Sequence, residues 1–357
     1  MKLQFKISKL ANQFFFVDNL SEWNIYCRRN YNKEWLNRFG KLTKKEKVAL
    51  KNYRLLMRKY REENLYKKIR NIFYSGRYAR YIERYAHYND GLEKNNGELR
   101  KKIKKLILIK SADILFASIS TFYPKFQTVW KKYQPTLSYN KKIILKNYKD
   151  TKNALNSIFY RLASFYGKEI AKQDLDVYLI ISPVKNYQGG KAIDKNKISI
   201  ELNKLDYENK NQLIAFWFLV VHETIHAIFE NQEYKKWIKQ FIKQQSPLGS
   251  KSKIVKKLGA KEVLREIITA TATTAADLLL IKITKEKIDW QKILKKQLKT
   301  SSLDDLNTLR RWAVYNLRET INKYLNNKRK IDKPFLKKCW TLIDNYPENL
   351  LQEIKNK

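Results

Sequence analysis

Val220-Val221-His222-Glu223-Thr224-Ile225-His226-Ala227 is the stretch on which the reading of this chain turns. It closes an apolar segment, Ile214-Ala215-Phe216-Trp217-Phe218-Leu219, that reads as one helix. On a helix, positions four apart differ by about 40° and one turn. His222 and His226 therefore present both imidazoles to the same side, as two ligands of one ion. Glu223 faces the open side of such an ion, where it can take a proton from water and pass it to a leaving group. The chain has three histidines, and two of them stand here. The bland alternative is that the three residues are merely satisfied by hydrogen bonds in a helical core. Burying them in so apolar a segment without a partner would be costly.

Upstream, Val177-Tyr178-Leu179-Ile180-Ile181 is a β-prone run closed by Ser182-Pro183. Gly189-Gly190 supplies turn chemistry, and Ile198-Ser199-Ile200-Glu201-Leu202 alternates as a half-exposed strand should. The helix then begins near Asn211, with Asn209 as its cap and Gln212 three residues on. Downstream, the basic stretch Lys243 to Lys257 reads as a loop, and a second apolar helix runs from about Lys261 to Ile283. Helical spacing also marks residues 43–75, Leu99 to Phe122, Lys141 to Tyr166 and the part after Leu303. The predicted fold class is α+β, predominantly α-helical. Residues 1–170 form a helical N-terminal region and residues 171–357 carry the metal site and C-terminal helices, either separately or as one compact unit.

Strand, glycine turn, edge strand and a helix bearing His-Glu-x-x-His together resemble the zincin metallopeptidases. The resemblance covers residues 176–282. It implies a zincin-like core with a small sheet against the active helix, one zinc per chain, and a peptide or protein substrate. It also implies that the edge strand, here Ile198 to Leu202, lines the cleft and pairs with an extended peptide. A catalytic zinc site needs a third protein ligand. The metzincin branch would supply a third histidine, but Ala227-Ile228-Phe229-Glu230-Asn231 lacks the glycine and histidine that branch requires. The gluzincin branch takes a glutamate from a later helix, and Glu262 and Glu266 are both available. Glu266 borders the uncharged run Ile267 to Ala276, where an unpaired carboxylate is hard to accommodate, and is preferred. Glu262, nearer the basic loop, suits a first-turn helix acid. A thermolysin-like template would reverse the two, making Glu262 the ligand and Glu266 its neighbour. Glu230, four residues past His226, is a candidate for orienting a ligand histidine.

Other residues carry less. Tyr315, with Arg310 and Arg311 nearby, could stabilise an oxyanion. Asp277 could share a face with Glu266 or make a buried salt bridge. His87 has no partner at ligand spacing and reads as a surface histidine.

Lysine and arginine total 75 against 34 acidic residues, a formal charge of +41. That excess favours polyanions as neighbours. A chain rich in Lys, Asn, Ile and Tyr also reflects AT-rich codons, and its lysine clusters are scattered along the whole length. Cys27 and Cys339 are far apart and fit a reducing compartment. Met1 to Leu20 does not read as a signal peptide. The longest apolar runs fall short of the roughly 20 residues a membrane span needs. The expectation is a cytoplasmic zinc-dependent metallohydrolase, a peptidase with Glu223 as general base. The alternative is a basic RNA- or polyanion-associated structural protein on a zincin-like scaffold, without catalysis.

Overall fold

Nine glycines and six prolines in 357 residues leave few places to break a helix, and helices dominate. The computed structural model describes residues 1–24, 27–63, 65–75, 97–169, 174–184, 189–202, 209–248, 253–284, 289–299, 306–346 and 350. The fold is α+β and mostly helical, with one four-stranded mixed sheet. Contacts divide the chain into two compact units. The sheet unit comprises Lys2–Asn147 and Asp174–Phe216; the helical unit comprises Tyr148–Gln173 and Trp217–Lys357, with Met1. His87 lies outside the described residues.

In the sheet unit, β1 (Lys2–Lys6) leads to α1 (Lys9–Leu20), α2 (Arg29–Phe39), α3 (Lys44–Glu62) and α4 (Tyr66–Phe73). Then come α5 (Gly97–Lys104), α6 (Ile109–Thr121) and the long α7 (Tyr123–Tyr166), whose residues from Tyr148 onward belong to the helical unit. Local chemistry starts these helices. The Ser8 side chain accepts from Ala11 N to cap α1. Thr43 and Glu46 form a reciprocal capping box on α3.

The strands β2 (Asp174–Ile181), β3 (Gly189–Asp194) and β4 (Lys197–Leu202) join β1 in the order β1-β2-β4-β3. β1 and β4 pair parallel to β2, and β3 pairs antiparallel to β4. Val177 to Ile181 of β2 are buried in succession, on both faces of the sheet, which explains its continuous apolar run.

Two expectations fail here. Ile198 to Leu202 is neither an edge nor half-exposed: β4 lies between β2 and β3, and its residues from Ile198 onward are buried. Its alternating polar residues meet partners instead of water. Glu201 Oε2 takes Arg28 Nε at 2.8 Å and the Tyr31 hydroxyl at 2.6 Å. The ladder edges of β4 are thus taken and cannot pair with an extended peptide. The strand beside it is β3, whose Gly189-Gly190 read as a turn, and Arg70 Nη2 already donates to the Ala192 and Ile193 carbonyls there.

After β4, α8 (Lys210–Thr224) begins where Asn209 Oδ1 accepts from Asn211 N at 2.9 Å. Its residues from Trp217 belong to the helical unit. A π-helical turn (Ile225–Phe229) continues it. By length and composition Lys210–Phe229 is apolar enough to cross a membrane, but 56% of it is buried within the protein, as in a core helix. The helical unit continues with α9 (Gln232–Lys243), α10 (Lys253–Leu258), α11 (Ala260–Ala272), α12 (Asp277–Thr284), α13 (Trp290–Lys299), α14 (Leu306–Asn326) and α15 (Lys333–Asp344). The expected helix from Lys261 to Ile283 is broken by a 3-10 turn at Thr273–Ala276. The Thr271, Thr273 and Thr274 hydroxyls donate to the Ile267, Thr269 and Thr271 carbonyls, a competition that tightens the helix locally. Val263, Leu264, Ile267 and Ile268 of α11 are fully buried, as are Leu309 and Ala313 of α14, the helix it packs against most extensively.

At Gly189 an added Cβ would meet the ends of the Arg28 and Glu201 side chains, so a larger residue requires that pair to shift. Gly189→Ala is expected to lower unfolding stability by about 1–3 kcal/mol, the usual range for overpacking. Gly97→Ala, where the added carbon meets nothing within 4 Å, is the control and should be neutral or stabilising in urea titrations. Equal effects at both positions would contradict the close approach.

Candidate metal centre

All the pieces of the candidate centre lie in the helical unit. α8 carries His222 and Glu223, and the π turn carries His226. Their Nε2 atoms stand 3.3 Å apart with the rings at 80°. The third group arrives from α11: Glu266 Oε1 lies 3.7 Å from His226 Nε2. Among the described residues, His222, His226 and Glu266 offer ligand atoms that all lie within 4.8 Å of one another. Two nitrogens at about 2.0–2.1 Å from a tetrahedral ion are separated by roughly 3.3–3.4 Å. The spacing of the two Nε2 atoms fits that donor set.

Each ligand is held from behind. The Thr273 hydroxyl donates to the Thr269 carbonyl at 2.7 Å, so it meets His222 Nδ1, 3.3 Å away, as an acceptor. That contact assigns the His222 proton to Nδ1 and leaves the Nε2 lone pair facing His226. His226 Nδ1 is 3.1 Å from Glu230 Oε2, although off the line of a good hydrogen bond. The π turn makes this approach: Glu230 N bonds back five residues to the Ile225 carbonyl at 3.0 Å. π turns of this kind concentrate at functional sites. Glu230 is itself fixed by Arg265 Nε at 3.0 Å and by the Thr269 hydroxyl at 2.8 Å. Glu266 turns its other oxygen, Oε2, to Arg310 Nε at 3.0 Å. Arg310 is anchored in turn by Asn307 Oδ1 at 3.2 Å.

The electrostatics follow from burial and these partners. Burial holds the His222 pKa well below 6.5, with His226 and Arg310 adding to it, so this ring is neutral. Burial opposes the charge on His226 too, but Glu230, Glu266 and Glu223 outweigh it and raise its pKa to about 9. Burial likewise works against the Glu266 carboxylate, yet Arg310 and the two histidines bring it down to about 2. Glu230 is held well below the carboxylate range by His226 and Arg265 against the same burial. Glu223 is 7% exposed. One negative group beside it is already committed, because Glu230 is spent on Arg265 and His226.

The other residues singled out in the sequence fall elsewhere. Glu262 donates nothing to the group; it accepts from Arg265 Nη1 at 2.7 Å. Asp277 opens α12 and pairs with Arg318. Tyr315 stacks on Trp312 with ring centroids 6.2 Å apart. Arg311 is half-buried on α14. Sequence reasoning missed Thr273 and the pairing of Arg310 with Glu266. The threonine-rich stretch Thr269 to Thr274 was the available signal for the first; nothing local signals the second, which spans 44 positions.

These shifts give the metal-free protein a defined pH response. The Glu266 pKa is depressed, so its contribution is present above pH 4.5 and lost as pH falls through about 2. The His226 pKa is raised, so its contribution is complete below pH 6.5 and lost as pH rises through about 9. Thermal melts in chelator are expected to show greatest stability near pH 6.5, with a decline toward pH 9 as His226 loses its proton and a decline below 6.5 because His222 stays neutral in the fold while the unfolded chain takes up a proton. His226→Gln should lose that alkaline decline; an unchanged decline would contradict the assignment. A second expectation concerns Glu230→Gln, which should weaken metal binding by about 10–100-fold, the usual effect of losing a partner behind a ligand. Titration with zinc against a competing chelator checks it.

Comparison with protein-family models, with curated proteins and with solved structures finds no match, so the functional reading rests on this geometry.

Proposed function

We propose that the chain is a zinc-dependent metallohydrolase of gluzincin type, acting on peptide bonds. His222, His226 and Glu266 would hold one zinc per chain, and Glu223 would be the general base. The observation that carries this reading is the convergence of three ligand atoms from two helices beside a buried carboxylate that none of them needs as a ligand. A zinc ion held there would supply Lewis acidity, making a water easier to deprotonate at neutral pH and polarising a carbonyl. Glu223 takes the proton from the attacking water and delivers it to the departing nitrogen. Thr273 and Glu230 keep the two rings turned so that Nε2 of each faces inward. Arg310 holds one oxygen of Glu266, leaving the other for the ion. The zincin-like core and the peptide substrate come from the sequence resemblance; the substrate does not lie along Ile198 to Leu202, which is paired on both sides.

A basic polyanion-associated role without catalysis draws on the +41 charge. It leaves unexplained why Glu223 is buried beside two histidines that face each other. A purely structural ion needs ligands, not an adjacent base.

Elemental mass spectrometry on purified, zinc-supplied protein is expected to find about one zinc per chain. His226→Ala and Glu266→Ala should lose it, and Glu262→Ala should keep it. Glu223→Gln should retain zinc while peptide hydrolysis falls by at least about a hundredfold, the scale of a lost general base. Zinc bound normally with no hydrolysis of any peptide mixture by the wild type would overturn the catalytic reading.

A further inference from the structure

The connection between α5 and α6 bears the most exposed apolar residues in the described chain. Leu108 is 69% exposed and Ile109 is 63% exposed. They are adjacent, at the start of α6, and Lys110, Asp113, Ile114 and Ala117 continue from Ile109 along the outer face of that helix. The inner face, with Ala112, Leu115, Phe116 and Ile119, is buried. The apolar outer residues therefore do not serve the core.

The charge around this tip is mostly positive, with Glu98 and Asp113 the nearby acids. From Arg100 to Lys110 the chain carries six cations, Arg100, Lys101, Lys102, Lys104, Lys105 and Lys110, and no carboxylate. Arg100 turns inward over the Phe116 ring, 5.1 Å from its centroid. The lysines do not. Leu99 and Ile103 form the buried face of α5, so Lys101 and Lys105 stand opposite it and are exposed, with Lys102 also exposed. Lys104 reaches Asp113 at 3.2 Å, which brings the end of α5 against the outer face of α6 and makes the lysines and that face one surface.

We propose that this surface docks the protein on an anionic lipid bilayer, with Leu108 and Ile109 entering the interface and the lysines meeting the headgroups. The chemistry favours lipid over nucleic acid. A bilayer offers negative charge with an apolar layer directly beneath it, matching aliphatic residues ringed by lysines. Single-stranded nucleic acid is met with aromatic stacking platforms, and the residues at this tip are Leu and Ile. Two aliphatic side chains alone anchor weakly, and a basic cluster alone is read by any polyanion; the two together are the usual requirement for stable attachment.

The test is co-sedimentation of the full chain with vesicles of phosphatidylcholine alone and of equal parts phosphatidylcholine and phosphatidylserine. Wild type is expected to pellet with the mixed vesicles and not with phosphatidylcholine. Each lysine near such a surface strengthens binding about fivefold, so Lys101→Ala with Lys102→Ala and Lys105→Ala should weaken it roughly a hundredfold. Leu108→Glu with Ile109→Glu should abolish pelleting with an unchanged melting curve, since both residues are exposed. Should that pair disturb folding, Leu108→Ser with Ile109→Ser provides the same comparison without added charge. Pelleting of either tip variant at wild-type level would overturn the proposal, leaving only general attraction to the cationic surface. Failure of the wild type to pellet, equal binding to phosphatidylcholine alone, or preferential binding of single-stranded RNA through the same lysines would also overturn it.

Discussion

Two imidazole nitrogens held 3.3 Å apart in a buried site need a proton or a metal ion between them. Their lone pairs otherwise face each other across a gap that water does not screen. In the metal-free chain a proton on His226 meets that demand, stabilised by Glu230, Glu266 and Glu223. A divalent ion would meet it through both nitrogens and the Glu266 carboxylate, whose atoms lie within 4.8 Å of one another. The remaining features of the helical unit follow from keeping these donors aimed. The π turn brings Glu230 behind His226, the threonine-rich 3-10 junction sets Thr273 behind His222, and α14 delivers Arg310 behind Glu266.

The charge balance is consistent with this. Four carboxylates, Glu223, Glu230, Glu262 and Glu266, gather around the guanidinium groups of Arg265 and Arg310, so acidic groups outnumber basic ones here. The two arginines do opposite service to the two carboxylates they touch. Arg265 uses up Glu230, which must not compete for the ion, and is itself shared with Glu262. Arg310 occupies only one oxygen of Glu266 and leaves the other facing His226. Placing α11 and α14 correctly is therefore as important to the centre as the motif itself, and their mutual apolar packing does that work.

The candidate site was legible where chemistry is local. Five consecutive positions, His222 to His226, report their own geometry once a helix is assumed. Glu266 was preferred over Glu262 because it borders the uncharged run Ile267 to Ala276, where an unpaired carboxylate implies a partner. Arg310 was visible only as one of many basic residues, since no short-range pattern links it to Glu266. The sheet was harder. β2 was readable from its apolar run, but β1 lies far away in sequence, and its period-two pattern, Lys2-Leu3-Gln4-Phe5-Lys6, passed unnoticed. β4 was misread for a physical reason: alternation of apolar and polar residues marks a solvent face only when water is the polar partner. Here Arg28 and Tyr31 take that place, so Glu201 is buried in an interior strand. Gly189 reads as a turn residue, yet it lies in β3 opposite Glu201, with the Arg28 and Glu201 side chains closely packed against it.

Zinc K-edge X-ray absorption on protein loaded with one equivalent of zinc tests the central claim most directly. The account predicts two imidazole scatterers at about 2.0–2.1 Å, light oxygen scatterers completing a four-coordinate shell, and no sulfur. A spectrum with a sulfur scatterer near about 2.3 Å, or one lacking the imidazole pattern, would place the ion elsewhere and contradict the account.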